Sequence, residues 1–189
     1  MSNKIILLSA FLFLFGSLNA QKKYEISASY GTPSLYGLAY DFFDEIFNPS
    51  ENSTSNKISG QGVATVGASM YSQNQKWQFE LNLMNEFFND EKSSVTTDAN
   101  FFSVHPNVNY MWRKPDKKFQ VYSGAGIGLS FLKMNYTDRF TKEKYKDKKT
   151  VVTWNITPIG LKYGKDYGVF ATSNFGIKSF GQIGVFYKL

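Results

Sequence analysis

Tyr122–Phe131 reads YSGAGIGLSF, with Gly124, Gly126 and Gly128 at every second position. Between and around them, Phe119, Val121, Ala125, Ile127, Leu129 and Phe131 keep an apolar phase, while Gln120, Tyr122, the three glycines and Ser130 occupy the other. Alternation over this length is the period of a β-strand whose two faces meet different surroundings. Glycine weakens a strand because it has no side chain to pack. Three in phase therefore point to a place where something bulky approaches one face closely.

The same period runs along the chain. Tyr24, Ile26, Ala28 and Tyr30 alternate with Glu25, Ser27 and Ser29, and a weaker run over Ile58–Tyr71 has Ala64, Val66, Ala68 and Met70 in phase. Trp77, Phe79, Leu81, Leu83 and Phe87 oppose Gln78, Glu80, Asn82 and Glu86, and Phe102, Val104, Val108, Tyr110 and Trp112 oppose Ser103, His105, Asn107 and Asn109. Val151–Tyr163, the run from Tyr167 to Phe175, and the closing Ile183, Val185, Tyr187 and Leu189 bring the count to eight strands. Pro106 and Pro158 lie inside two of them and predict bulges or local strand ends, because proline cannot donate to the ladder.

Connections alternate in length. Long polar stretches follow strands one, three and five, at roughly residues 32–57, 89–98 and 135–150; short turns such as SQNQK, RKPDKK and the two-residue KD follow strands two, four and six. Trp77, Trp112 and Phe119 gather beside the short turns, as an interfacial aromatic girdle does. The pattern predicts an all-β, eight-stranded antiparallel up-and-down transmembrane β-barrel. Its narrow interior is filled by side chains, and the three glycines are the small partners of large ones.

The N-terminus agrees with export. Lys4, the apolar stretch from Ile5 to Phe15 and the small-residue end at Ala20 read as a cleaved signal peptide over residues 1–20, too short and too interrupted to span a bilayer. Residues 21–189 form the barrel domain. The chain contains no cysteine and one histidine, which leaves no disulfide framework and argues against a zinc site. Aromatic residues make up 17% of the chain, yet its mean hydropathy is −0.31, as alternation of polar and apolar residues requires. A net charge of +6 is too mild for a nucleic-acid-binding composition.

With YSGAGIGLSF, ITPIGLKYGKDYGVF and the closing GQIGVFYKL, the chain resembles the small eight-stranded outer-membrane β-barrel proteins of Gram-negative type. That resemblance implies residence in the outer membrane, contact with outer-membrane lipid, and folding by the barrel-assembly machinery, which reads a terminal strand ending on an aromatic. This chain ends on Leu189, two residues after Tyr187.

Candidate sites are few. Glu25, Glu80, His105, Asn107 and Tyr122 share the inward phase and predict a structural polar network in the lumen, with Lys162 as a further candidate. Ser103, His105 and Glu80 contain the residue types of an acyl hydrolase, but alternation alone explains the Ser103–His105 spacing, so no catalytic residues are assigned. No cofactor or metal is implied. The first long loop holds PSLYGLAYDFFDEIF, whose Leu35, Leu38, Phe42, Phe43, Ile46 and Phe47 fall at helical spacing. It predicts a short amphipathic helix that either covers the barrel mouth or meets the membrane or a partner. Lys142, Lys144, Lys146, Lys148 and Lys149 crowd the third loop and suit phosphate-bearing headgroups or a solvated surface. The expected role is structural or loop-mediated, for a monomer without nucleic-acid partners. The alternatives are a soluble lipocalin-like carrier of an apolar ligand, whose faces would be reversed, and a lipid-modifying barrel enzyme. Leu81→Arg, mid-strand on the predicted lipid face, should cost about 2–4 kcal/mol and block assembly; normal insertion of this variant would mean that the faces have been read the wrong way round.

Overall fold

A computed structural model describes residues 24–36, 59–90, 95–113, 117–138 and 144–189. Eight strands form in chain order: β1 (Tyr24–Gly31), β2 (Ser59–Tyr71), β3 (Trp77–Asp90), β4 (Val95–Met111), β5 (Phe119–Asp138), β6 (Lys144–Gly164), β7 (Tyr167–Gly176) and β8 (Gly181–Lys188). Each pairs antiparallel with its neighbours in sequence, and β1 closes onto β8 from Glu25↔Lys188 to Gly31↔Gln182. The signal-peptide reading falls outside the described residues. So does the first-loop helix beyond Leu35 and Tyr36, which are helical.

Alternation sorts the two faces. Val66, Ile127, Val152 and Ile183 are more than 60% exposed on the outer wall, while Glu25, Gln78, Asn82, His105, Ser130 and Thr153 are buried inside. The glycine question is answered in the β4–β5 ladder. Asn109 stands opposite Gly124 and Asn107 opposite Gly126, and His105 occupies the next inward position beside Gly128. A methyl group at Gly124 would fall on the Asn109 amide, one at Gly126 on the Asn107 amide, and one at Gly128 on the His105 ring. The side chains of β4 thus lie down over the bare backbone of β5, which is how a narrow barrel accommodates them.

The two prolines are handled differently. At Pro158 the register slips on both sides, between Tyr122 and Gly124 on β5 and between Ile156 and Ile159 facing β7. That bulge absorbs the missing N–H. Its carbonyl accepts from Ser123 Oγ, which in turn accepts from Trp112 Nε1 at 3.0 Å. At Pro106 the β4–β5 pairing lapses between Val104↔Leu129 and Asn107↔Gly126 and resumes in the same register, while Leu81↔Pro106 holds on the β3 side. No bulge forms at that proline.

Strand lengths correct the reading of the loops. β4, β5 and β6 run 17, 20 and 21 residues, against 8 for β1 and β8. The stretch read as the third long loop is mostly strand: β5 continues to Asp138 and β6 begins at Lys144, paired from Thr137↔Lys144 onward. The second loop likewise shortens to residues 91–94. These extensions alternate polar with polar, so they carry no hydrophobic period. They form a tall wall on one side of the barrel mouth, with Phe88, Ala99, Phe101 and Leu132 packed on its inner face.

At the opposite end, Gly164 adopts φ 139° before the Lys165–Asp166 turn, a conformation that L side chains resist. Trp77, Tyr110 and Trp112 stack edge to face in succession at 5.0 and 5.6 Å, and the Arg113 guanidinium lies 5.7 Å from the Phe119 ring. Gly160 tests how tightly the lumen is filled, because a Cβ there would enter the Tyr122 ring. Gly160→Ala should destabilise by about 1–3 kcal/mol in urea unfolding from lipid vesicles, and most of that cost should vanish in a Tyr122→Ala background; additive effects would mean that the two do not touch.

Candidate functional site

Two buried ion pairs organise the interior. Near the short-turn end, Glu25 on β1 accepts hydrogen bonds from Tyr71 Oη at 2.8 Å and Gln78 Nε2 at 3.1 Å, and pairs with Lys162 Nζ from β6 across the lumen. Glu25 and Lys162 are 2% and 4% exposed. The Lys162 ammonium also lies 5.4 Å from the Tyr122 ring and 5.3 Å from Phe186, and Lys188 sits 5.6 Å from Tyr71 and 5.4 Å from Phe186. Such ring faces attract cations. Tyr71, Met111 and Tyr122 form an apolar floor beneath them.

The second pair lies higher. Lys178, in the turn between β7 and β8, reaches down into the lumen to Glu80 Oε2 at 3.1 Å. Asn109 Nδ2 bridges the two systems, donating to Gln78 Oε1 at 3.2 Å and Glu80 Oε2 at 3.3 Å. Hydroxyls and amides continue upward in two chains. Ser103, Ser130 and Thr153 bond in series at 2.7 and 2.9 Å, and Asn155, Thr157, Asn174 and Thr172 are linked by bonds of 2.7 to 3.2 Å. Buried charges of this kind persist only when paired and further hydrogen-bonded.

Above this layer Val63, Met84 and Ile177 pack together, with Tyr36 against them. Glu86 holds the entry of the first loop, accepting from Ser34 N at 2.8 Å and Ser34 Oγ at 2.6 Å. Tyr36 Oη accepts from Trp154 N at 3.3 Å, at the point where β7 has ended and β6 continues paired with β5 alone.

Of the residues singled out from sequence, Glu25, Glu80, Asn107 and Tyr122 all face the lumen and are brought into one interior. His105 lies fully buried among them, and its backbone carbonyl accepts from Asn107 Nδ2 at 3.0 Å. No hydrogen bond joins Ser103 to His105 or His105 to Glu80: Ser103 is engaged with Ser130, and Glu80 with Lys178 and Asn109. The hydrolase geometry is therefore not assembled. Among the described residues no group of three histidine or acidic side chains could hold a metal. Lys146, Lys148 and Lys149 are exposed on β6. Phe42, Phe43, Phe47 and Lys142 lie outside the described residues, and Lys144 is the first residue of β6. Sequence reasoning missed Lys178 and the Ser34–Glu86 contact; Pro33-Ser34 before a helical period was the available signal for the latter.

The fold is the closed eight-stranded up-and-down β-barrel, and its structural neighbours are outer-membrane barrels. A major outer membrane protein from Thermus thermophilus aligns with a TM-score of 0.59 at 8% identity, covering 90% of this chain and 100% of that one. Neisserial surface protein A aligns with a TM-score of 0.51 at 12% identity, covering 90% and 98%. No protein-family model and no curated protein sequence matches the chain.

Removing one member of a buried ion pair leaves the other charge uncompensated. Lys162→Met should cost about 3–5 kcal/mol in urea unfolding from lipid vesicles, with part of the loss recovered by Glu25→Gln in the same chain. If Lys162→Met were harmless, the pair would not be buried.

Proposed function

We propose that this chain is an exported, monomeric outer-membrane β-barrel whose lumen is closed by its own polar side chains, and that its role is structural or carried by its exposed end rather than by catalysis or open-pore transport. The observation that carries this reading is the inversion of the two faces. Apolar side chains ring the outer wall while charged and amide side chains pack the interior, the arrangement suited to lipid outside and a narrow lumen within. On β5, Phe119 to Phe131 spans about 40 Å along the strand at ~3.3 Å per residue, and about 30 Å of height at the ~40° tilt of such barrels. That matches a hydrocarbon core. Tyr30, Phe87, Phe102, Phe131, Trp154 and Phe175, all exposed, make a second aromatic ring to complement the one beside the short turns.

A soluble carrier of the lipocalin kind needs the opposite sorting, with apolar residues lining a cavity. A lipid-modifying enzyme needs a nucleophile joined to its base, and Ser103 is bonded elsewhere. Outer-membrane lipid and the barrel-assembly machinery are the partners this reading requires; any extracellular partner would be met by the loops.

Fractionation followed by electrophoresis of boiled and unboiled samples tests location: the protein should sediment with the outer membrane and change mobility on boiling. In planar bilayers the reconstituted barrel should give no stable open-channel steps. A soluble periplasmic protein, or a persistent conductance, would overturn the reading.

A further inference from the structure

Above the upper aromatic ring, the tall wall carries an outward ladder of lysines that belongs to strands rather than to a loop. Alternation on β5 puts Phe131 and Lys133 on the outer face, and on β6 it puts Val152, Thr150, Lys148 and Lys146 there. Lys133 is paired directly with Lys148, and Lys146 stands opposite Asn135, with Lys144 next in register. Lys133, Lys146 and Lys148 are exposed, and none has an ion-pair partner among the described residues. The neighbouring acids Asp138 and Asp147 occupy positions of the opposite, inward phase. Asp98, opposite Asn135 on β4, holds an outward register position one diagonal step from Lys133 and two strands from Lys146.

Lys133 and Lys148, like charges directly opposed across an antiparallel pair, repel, and Lys146 adds a third cation to the same face. Their height identifies what neutralises them. Lys133 lies two residues beyond Phe131, about 7 Å along the strand and about 5 Å higher at a ~40° tilt. The headgroup layer occupies roughly 5–8 Å beyond the hydrocarbon core, so Lys133 and Lys148 stand level with the lipid phosphates, and Lys146, about 5 Å higher, reaches back to them along its flexible stem. Lysine is a compact point charge suited to phosphate. At the short-turn end, by contrast, Lys117 and Lys165 adjoin Asp116 and Asp166 in their turns.

We propose that Lys133, Lys146 and Lys148 form a binding site for phosphate-bearing lipid headgroups in the leaflet at the tall-wall end. The inference rests on the membrane reading above, so insertion is established first, by the boiling-dependent mobility of each variant. The full barrel is then placed in phosphatidylcholine vesicles with trace spin-labelled phosphatidylglycerol or spin-labelled phosphatidylcholine, and electron paramagnetic resonance gives the relative affinity of the two lipids for the barrel surface. Wild-type protein should prefer the anionic lipid. Lys133→Gln, Lys146→Gln and Lys148→Gln combined should lower that preference at least five-fold, the factor that about one lysine at an anionic surface supplies. Lys76→Gln, Lys117→Gln and Lys165→Gln combined should leave it within two-fold.

For the wild type, 1 M sodium chloride, with a screening length of ~3 Å, should abolish the preference, a check that needs no variant. Equal losses in the two triple variants would reduce the effect to overall charge and overturn the proposal. So would the absence of any preference in the wild type, or its survival in 1 M salt. Displacement of the lipid by inorganic phosphate, but not by chloride at equal ionic strength, would instead assign the ladder to free phosphate.

Discussion

Closure of β1 onto β8 is the constraint from which the rest of the structure follows. In the membrane setting proposed above, a strand edge left open would expose a row of N–H and C=O groups to hydrocarbon, each costing several kcal/mol, so the sheet must return on itself. Eight strands make a ring whose interior admits side chains and little more. Every inward residue then competes for volume with those across from it, and the chain resolves the competition strand by strand. β4 supplies Asn109, Asn107 and His105, β5 withdraws to Gly124, Gly126 and Gly128, and Gly160 gives way to the Tyr122 ring in the same manner.

Filling that interior with polar groups has a second consequence. Glu25 and Glu80 are both withdrawn from water, and each is met by a lysine from far along the chain, Lys162 from β6 and Lys178 from the β7–β8 turn. Breaking such a pair is costly, so the pairs lock the strands that bear them into one arrangement. Lys178 also ties the mouth of the barrel to its middle: the turn that carries it hydrogen-bonds to β6, through Ile177 N to Trp154 O and Lys178 N to Asn155 Oδ1. The polar interior is thus continuous from the floor around Tyr71 to the collar around Val63, Met84 and Ile177.

Strand number, order and facing were legible in the sequence, because an apolar outer wall and a polar interior impose a period of two that Trp77–Phe87 and Phe119–Phe131 display openly. The glycines were legible for the same reason: only a close approach explains three in phase. The upper parts of β4, β5 and β6 were not, since Lys144–Lys149 and Asn135–Asp138 lie above the apolar band of the wall and have no apolar phase. Partners distant in sequence were also hidden. Nothing near Glu80 points to Lys178, and nothing near Glu86 points to Ser34; both contacts exist because closure brings together segments separated by 98 and 52 residues. Pro106 shows the limit of a local rule, for its ladder lapses without the bulge that Pro158 makes.

The central claim is that the outer wall faces lipid and the interior is packed rather than wet. Single cysteines test it cleanly, because the chain has none of its own. Ser130→Cys and Thr172→Cys place a thiol inside, and Ala28→Cys and Ala171→Cys place one on the outer wall. In lipid vesicles made accessible from both sides, a charged, water-borne thiol reagent should modify none of the four, while all four should react once the barrel is unfolded in urea. Rapid reaction of the inner pair with the charged reagent would reveal a water-filled lumen, and reaction of the outer pair with it would place the wall in water; either result contradicts the account.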